Sequence, residues 1–575
     1  MHRRSFLKVG AGAVSAFALR ASAAEIRVLV TDHGADPSGR RDATAAVTKA
    51  IAALPRAGGA LVFPYGTYTF SPSQGAIMTF ASLRGLVIEG NDSLLQFAGS
   101  AQPFVFSECS DLQLSNLRID WPRPPFCQGI VQAVTAESFE ILIDAPFAVE
   151  GHEPVQAIGE YDRAARLPAP NGVDAYGVVS SVRWIAPQTL RIALTRTIGV
   201  KAGMTLVLRH QVYGSDAITL RSCTGSRLRN LAIYTTPGLG VLGVGSTDIT
   251  LEHCTVTPTP GSGRLLSTCA DAVHFTDCRG SLHLYGCSFF GMGDDAVNAS
   301  TSYWRVLRSI SPASLEVAAR GGSTIGPCQL PRFRDQLRFV DPKTFAPLCD
   351  AMVESATANR PNAILNLAQP SPAPIPLGSL VCNRSAVAQL TISNCHFLGN
   401  RARGVVAHSN ARIEDNSFSG CSLAAILLAP DAHWMEGPAV HHIKVARNRI
   451  ADCGYGRPND RRGAVCVDTA HAPHAQVLAA PRVNEDIQIS DNIFGSLPVP
   501  RIFCSASTGV SILRNTVRES RASSANPSDD AIVMVNVGQA VIRDNVGHNA
   551  GILLQECGAG LTVSDNSGFH ERRSP

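Results

Sequence analysis

Charge is scarce in this chain: only 17% of its 575 residues are Asp, Glu, Lys or Arg, and the formal net charge is +4. So small a surplus over such a length offers no electrostatic footprint for a nucleic acid and no attraction to an anionic membrane. Long apolar runs are missing too. The stretch from Val9 to Leu19 is too short to span a bilayer, which takes about 20 residues, and no later uncharged run is long enough. Cys-x-x-Cys and His-x-x-x-His spacings do not occur, so neither a metal ion nor any other cofactor is expected. Disorder is excluded from the other side, because 45% of the residues are hydrophobic.

The opening "MHRRSFLKVGAGAVSAFALRASAAE" reads as an export leader: a basic start, a short apolar stretch and the small-residue site Ala21-Ser22-Ala23. Arg3 and Arg4 before "SFLK" resemble the twin-arginine signal of bacteria. The expectation is a soluble mature chain from Ala24 or Glu25, exported to the periplasm or beyond. The 16 cysteines are plentiful for a chain without metal spacing. Cys223, Cys254, Cys278, Cys287, Cys395 and Cys421 sit beside strand-like runs and read as small buried side chains stacked on one another. A few disulfides stay open as an alternative.

An internal repeat organises the rest. "LTISNCHF", "ARIEDNSF", "IKVARNRI", "IQISDNIF", "VSILRNTV", "AVIRDNVG" and "LTVSDNSG" place Asn394, Asn416, Asn448, Asn492, Asn515, Asn545 and Asn566 in similar phrases. Their separations are 22, 32, 44, 23, 30 and 21 residues, and Asn116 and Asn230 fit the same mould. One such unit cannot bury its apolar face alone, so neighbours must stack. Strands of adjacent coils then pair in parallel at about 4.8 Å, and asparagines at successive turns tolerate left-handed backbone and bond to one another. The fold class expected is all-β: a right-handed parallel β-helix.

Residues 25–125 read as the N-terminal cap and first coils, with an amphipathic helix from about Ala43 to Leu54 behind Asp42. Asp32, Asp36 and Asp42 are structural in this reading. The segment resembles the opening of many pectin-active β-helix enzymes, in which such a helix covers the open end. Residues 126–212 and 304–380 break the repeat with hairpin-like pairs such as "QGIVQAVTAESFEILID" and "WRVLRSISPASLEVAAR", and are expected to be inserted small β-barrels. Coils then occupy 213–303 and 381–575.

Two adjacent acids, Asp294 and Asp295, follow a glycine-broken run, and Asp271 precedes Asp294 by 23 residues, about one coil. Two carboxylates about 5 Å apart repel by about 3 kcal/mol at an effective dielectric near 20. That is roughly two pKa units, enough to keep one acid protonated near neutral pH. A protonated acid beside an ionised one is what glycoside hydrolysis requires.

The stretch "ADAVHFTDCRGSLHLYGCSFFGMGDDAVNASTSYWR" resembles the core motif of glycoside hydrolase family 110, and "ARGVVAHSNARIEDNSFSGCSLAAILLAPDAHWMEGPAVHHIKVARNRI" resembles a second stretch of that family. The resemblance implies a β-helix with inserted barrels and an inverting, exo-acting α-1,3-galactosidase whose partner is a carbohydrate bearing a terminal α-linked galactose. It carries over Asp271, Asp294 and Asp295 as the acid and base positions, without saying which takes which role. Asn298, His274, Arg403, Trp434, Glu436 and Trp304 follow as substrate-binding candidates, with Tyr303 as a second possible wall. The chain departs from the family where "DDAVNAST" replaces "GDDAxNVHG": Ser300 stands in the histidine position. The alternatives are a polygalacturonase-like hydrolase, whose "GHG" and "RIK" motifs are lacking here, and a non-catalytic glycan-binding β-helix. Oligomeric state is not expressed in these patterns.

Overall fold

Each short run alternates apolar and polar residues, so each strand has one face to bury and one to leave out. The computed structural model, which describes residues 26–318, 329–359, 362–456, 463–469, 481–518 and 530–574, stacks these faces into a parallel β-helix. The expected export leader lies outside the described residues. One ladder aligns Ile218, Val241, Val273, Val297, Val405, Ile426, Val465, Ile502 and Ile532 coil upon coil. All nine are buried in a core that runs from Val28 to Leu554. A second ladder aligns Leu251, Leu284, Ile392, Ile413, Val445, Ile489, Ile512 and Ile542. In the third, Phe289, Phe397 and Phe418 stack with ring centroids 5.2 and 4.4 Å apart, close to the coil spacing.

The asparagine ladder is real but starts one coil later than the phrases suggest. Asn416, Asn448, Asn492, Asn515, Asn545 and Asn566 each follow a second-ladder residue by three, the last of them following Val563, which pairs with Ile542. Each of the five from Asn448 on accepts, through Oδ1, the backbone N–H of the asparagine one coil earlier at 2.9–3.1 Å. The Asn448 amide also donates to the Ile413 carbonyl (2.8 Å) and to Asn492 Oδ1 (3.0 Å). Asn116, Asn230 and Asn394 lie outside this column, though Asn230 Nδ2 still donates to Asn116 Oδ1 at 3.0 Å. They sit one place earlier, at left-handed turn positions with φ of 57°, 50° and 55°. Above Asn394 the ladder position belongs to Cys254, Cys287 and Cys395, whose thiols point at carbonyls of the preceding coil at 3.5–3.7 Å. A thiol there is a weak substitute for the amide. The fifteen described cysteines are all free, so stacking holds and no disulfide occurs among them.

At the N-terminal end the helix Thr44–Ala52 buries Ala46, Val47 and Ala50. Asp42 Oδ1 accepts the Thr44 N–H at 2.6 Å, satisfying one of the free donors of the first turn. The two insertions differ from each other. Strands between Phe126 and Arg209 form an eight-stranded antiparallel sheet whose path is open, ending at the edge strand Val179–Ala186. It curls over its own core, including Phe139, Ile141, Leu190 and Leu206, without closing into the expected barrel. The second insertion does close: Val297–Ser311, Ser314–Ala318, Asn362–Leu367, Pro347–Asn359, Gln336–Val340 and Leu380–Asn383 pair in a ring.

Candidate active site

The acids are placed by the first ladder. Asp216, Leu239, Asp271, Asp295 and Arg403 each precede a stacked Ile or Val by two residues, and so form a column of their own. Each acid in the column accepts the backbone N–H of the residue one coil on: Asp216 from Leu239 (3.1 Å), Asp271 from Asp295 (3.1 Å), Asp295 from Arg403 (2.8 Å). Asp271 therefore stacks on Asp295, not on Asp294 as the 23-residue spacing suggests. Asp294 sits one residue aside, where Gly293 permits a close turn: a Cβ there would lie 2.4 Å from the Cys269 carbonyl oxygen.

Asp271, Asp294 and Asp295 bring one carboxylate oxygen each within 4.8 Å of the others. The Asp294 side chain is the most open, at 15% exposure, against 5% and 6% for the other two. Its oxygens accept from the Tyr213 hydroxyl (2.9 Å) and from Arg401 Nη1 (3.2 Å). Burial, then the Asp294 charge, push Asp271 well above the usual carboxylate range. Burial raises Asp295 to about 7 against the opposing pull of Arg403, whose guanidinium lies 3.5 Å away. Asp271 and Asp295 thus hold a proton near neutral pH, and that proton belongs to the pair rather than to either acid. Such a trio could also cage a divalent ion, but two guanidiniums already supply positive charge beside it.

The three acids line a cleft of about 540 Å³ together with Asn298, Arg403, Trp434 and Glu436, as the sequence motifs suggested. Asn298 Nδ2 reaches the Glu436 carboxylate at 3.4 Å, while its buried Oδ1 has no donor within the protein. A sugar hydroxyl would satisfy it. Burial raises Glu436 to about 7. Two expected residues fall elsewhere. His274 is 1% exposed and does not line the cleft; its Nδ1 bonds Asp271 Oδ2 at 2.8 Å from behind, and burial lowers its pKa so that the ring is neutral. Trp304 lies in the hydrophobic core of the second insertion, and Tyr303 stacks on Phe345 at 6.0 Å. Both are strand residues whose large rings the barrel needs for its own packing. Ser300 faces a separate cavity of about 340 Å³ beside His408, so the departure from the family motif lies outside the cleft.

Sequence reasoning missed Tyr213, Asp431 and Leu427 in the cleft wall, and Arg401 behind it. Arg401 had a faint signal, standing two residues before Arg403. Tyr213 lines the cleft and packs against Leu239 and Leu242.

Residues 379–572 match the family model described as "Right handed beta helix region". Along most of its length the chain is similar to alpha-1,3-galactosidase B of Bacteroides thetaiotaomicron, 28% identical over 89% of this chain and 90% of that one. It is 25% identical to alpha-1,3-galactosidase A of Bacteroides fragilis, over 85% of this chain and 87% of that one. Among solved structures, the catalytic unit of the GH87 alpha-1,3-glucanase of Streptomyces thermodiastaticus superposes with a TM-score of 0.45 at 13% identity, covering 95% of this chain and 68% of that one. Clustered carboxylates on a right-handed parallel β-helix, with relatives of this kind along most of the chain, make the protein a glycoside hydrolase acting on carbohydrate. These relatives bear the name of the activity that its motifs, similar to those of glycoside hydrolase family 110, imply.

Proposed function

We propose that this enzyme removes terminal α-1,3-linked galactose from oligosaccharides or glycans. The carrying observation is the trio Asp271, Asp294 and Asp295 lining one cleft, with Asp271 and Asp295 held in raised, protonated form, in a chain related along about nine-tenths of its length to alpha-1,3-galactosidases. One protonated carboxyl gives its proton to the leaving oxygen, and an ionised neighbour directs the attacking group to the anomeric carbon. Exo action is the mode that the family resemblance implies.

Inversion is the outcome that the family resemblance implies. The trio's spacing, with oxygens within 4.8 Å, favours a second reading. Inverting pairs usually stand about 6.5–9.5 Å apart and retaining pairs about 5–5.5 Å. NMR of the first product decides: β-galactose means inversion with water held beside the cluster, and α-galactose means a covalent intermediate. Turnover of an aryl α-galactoside and of Gal-α-1,3-Gal should fall by about 10² to 10⁴ in Asp294→Asn and Asp295→Asn. Wild-type turnover in both variants would defeat the assignment. We also propose export through residues 1–24; N-terminal sequencing of enzyme recovered outside the cytoplasm should begin at Ala24 or Glu25.

A further inference from the structure

Arg401 stands behind Asp294, and all three of its guanidinium nitrogens are engaged. Nε and Nη2 donate to the two oxygens of Asp174 at 3.1 and 2.8 Å, and Nη1 donates to Asp294 Oδ1 at 3.2 Å. Asp174 belongs to the first insertion, 227 residues earlier in the chain. The Tyr176 ring lies 5.1 Å from the Arg401 Cζ and 4.9 Å from that of Arg209. Arg209 in turn donates to the Tyr176 hydroxyl (2.6 Å) and to the carbonyls of Cys269 (2.9 Å) and Gly293 (2.8 Å). Those two carbonyls belong to the turns that carry Asp271 and Asp294.

A planar fork held on two sides by one carboxylate has no freedom to choose where its third side points. Here that third side meets the most open of the three acids. We propose that Asp174 and Arg401 form a positioning relay, in which the first insertion fixes Arg401 and Arg401 fixes the carboxylate of Asp294 in its reactive orientation. The relay rests on the reading of Asp294 as a reacting carboxylate. Lysine cannot take the place of Arg401, because a single ammonium cannot hold a bidentate partner and a third oxygen at these angles.

The test uses the full-length enzyme with an aryl α-galactoside. Arg401→Ala should lower kcat about a hundredfold while KM stays within about threefold, since a mispositioned acid costs the transition state and not ground-state binding. Guanidinium chloride at low millimolar concentration should restore activity to Arg401→Ala at least about tenfold, and methylammonium should not. Asp174→Asn, nearly isosteric and safe for folding, should lower kcat about tenfold. The double variant should be no slower than Arg401→Ala alone, because the two residues act as one unit. Unchanged kcat in Asp174→Asn, additive losses in the double variant, or no guanidinium rescue would each overturn the relay. A fully active Asp294→Asn, or a wild type that turns over no galactoside, would remove the functional reading beneath it.

Discussion

Replacing Asp295 by Asn should lower turnover by about 10² to 10⁴ and yet leave the folded protein increasingly more stable than wild type as pH rises. In the folded chain Asp295 is held at about 7, against an ordinary 3.8, mainly by burial. An acid whose folded pKa is raised contributes fully below the unfolded pKa, and the contribution is lost as pH climbs toward the folded value. Between pH 4 and pH 8 the wild type thus gives up about 4 kcal/mol through this one group, at 1.36 kcal/mol per unit. Asparagine does not titrate, so the variant gives up none of it. The variant also loses the 3.5 Å ion pair with Arg403. Arg403 stays charged at both pH values, so the part of that loss tied to the ionised acid is already inside the folded pKa of Asp295. For a chain of 575 residues, an unfolding entropy of about 1.2 kcal/mol/K converts 4 kcal/mol into about 3–4 °C. The assay is the difference in Tm between Asp295→Asn and wild type by calorimetry at pH 4, 6 and 8. That difference should grow by about 3–4 °C from pH 4 to pH 8. A difference that stays flat, or shrinks, would refute the raised acid and with it the proton shared by Asp271 and Asp295.

Other outcomes follow from named contacts. Asn448→Ala removes buried hydrogen bonds to Asn416, Ile413 and Asn492 and should destabilise by about 2–4 kcal/mol, seen as a lower midpoint in urea. Gly293→Ala forces the Cys269 carbonyl 2.4 Å from the new methyl group to move, displacing Asp294 and lowering kcat/KM at least about tenfold with little change in KM. Since the described cysteines are all free, a reductant should leave the Tm unchanged to within about 1 °C, whereas a drop would reveal a disulfide.

The solenoid was legible because its cause is local: alternation and turn residues recur in every coil. The register was less so. "SNC" and "EDN" look alike as strings, but Asn394 precedes the buried ladder position and Asn416 occupies it, a one-residue shift that only strand pairing resolves. The same shift set Asp271 opposite Asp295 in place of Asp294. Acids in the cleft could be found from spacing. Their supports could not, because Asp174 reaches Arg401 across an insertion whose docking leaves no periodic trace. His274 and Trp304 failed as substrate contacts for a related reason: polarity and aromaticity near a motif do not reveal which way a strand residue faces.

The column of acids continues beyond the site. Asp216, also buried and raised to about 6, holds its neighbouring coil in the same way that Asp271 and Asp295 hold theirs. The parts of the finished centre are nonetheless scattered in time as the chain is made. Asp174 emerges first, the three acids follow roughly a hundred residues later, and Arg401, Arg403 and Glu436 come only after the whole second insertion. A ribosome-bound fragment ending before residue 401 has its carboxylates but lacks the cations that hold two of them. Hydrolytic competence therefore cannot precede the synthesis of Arg401, Arg403 and Glu436, late in the chain.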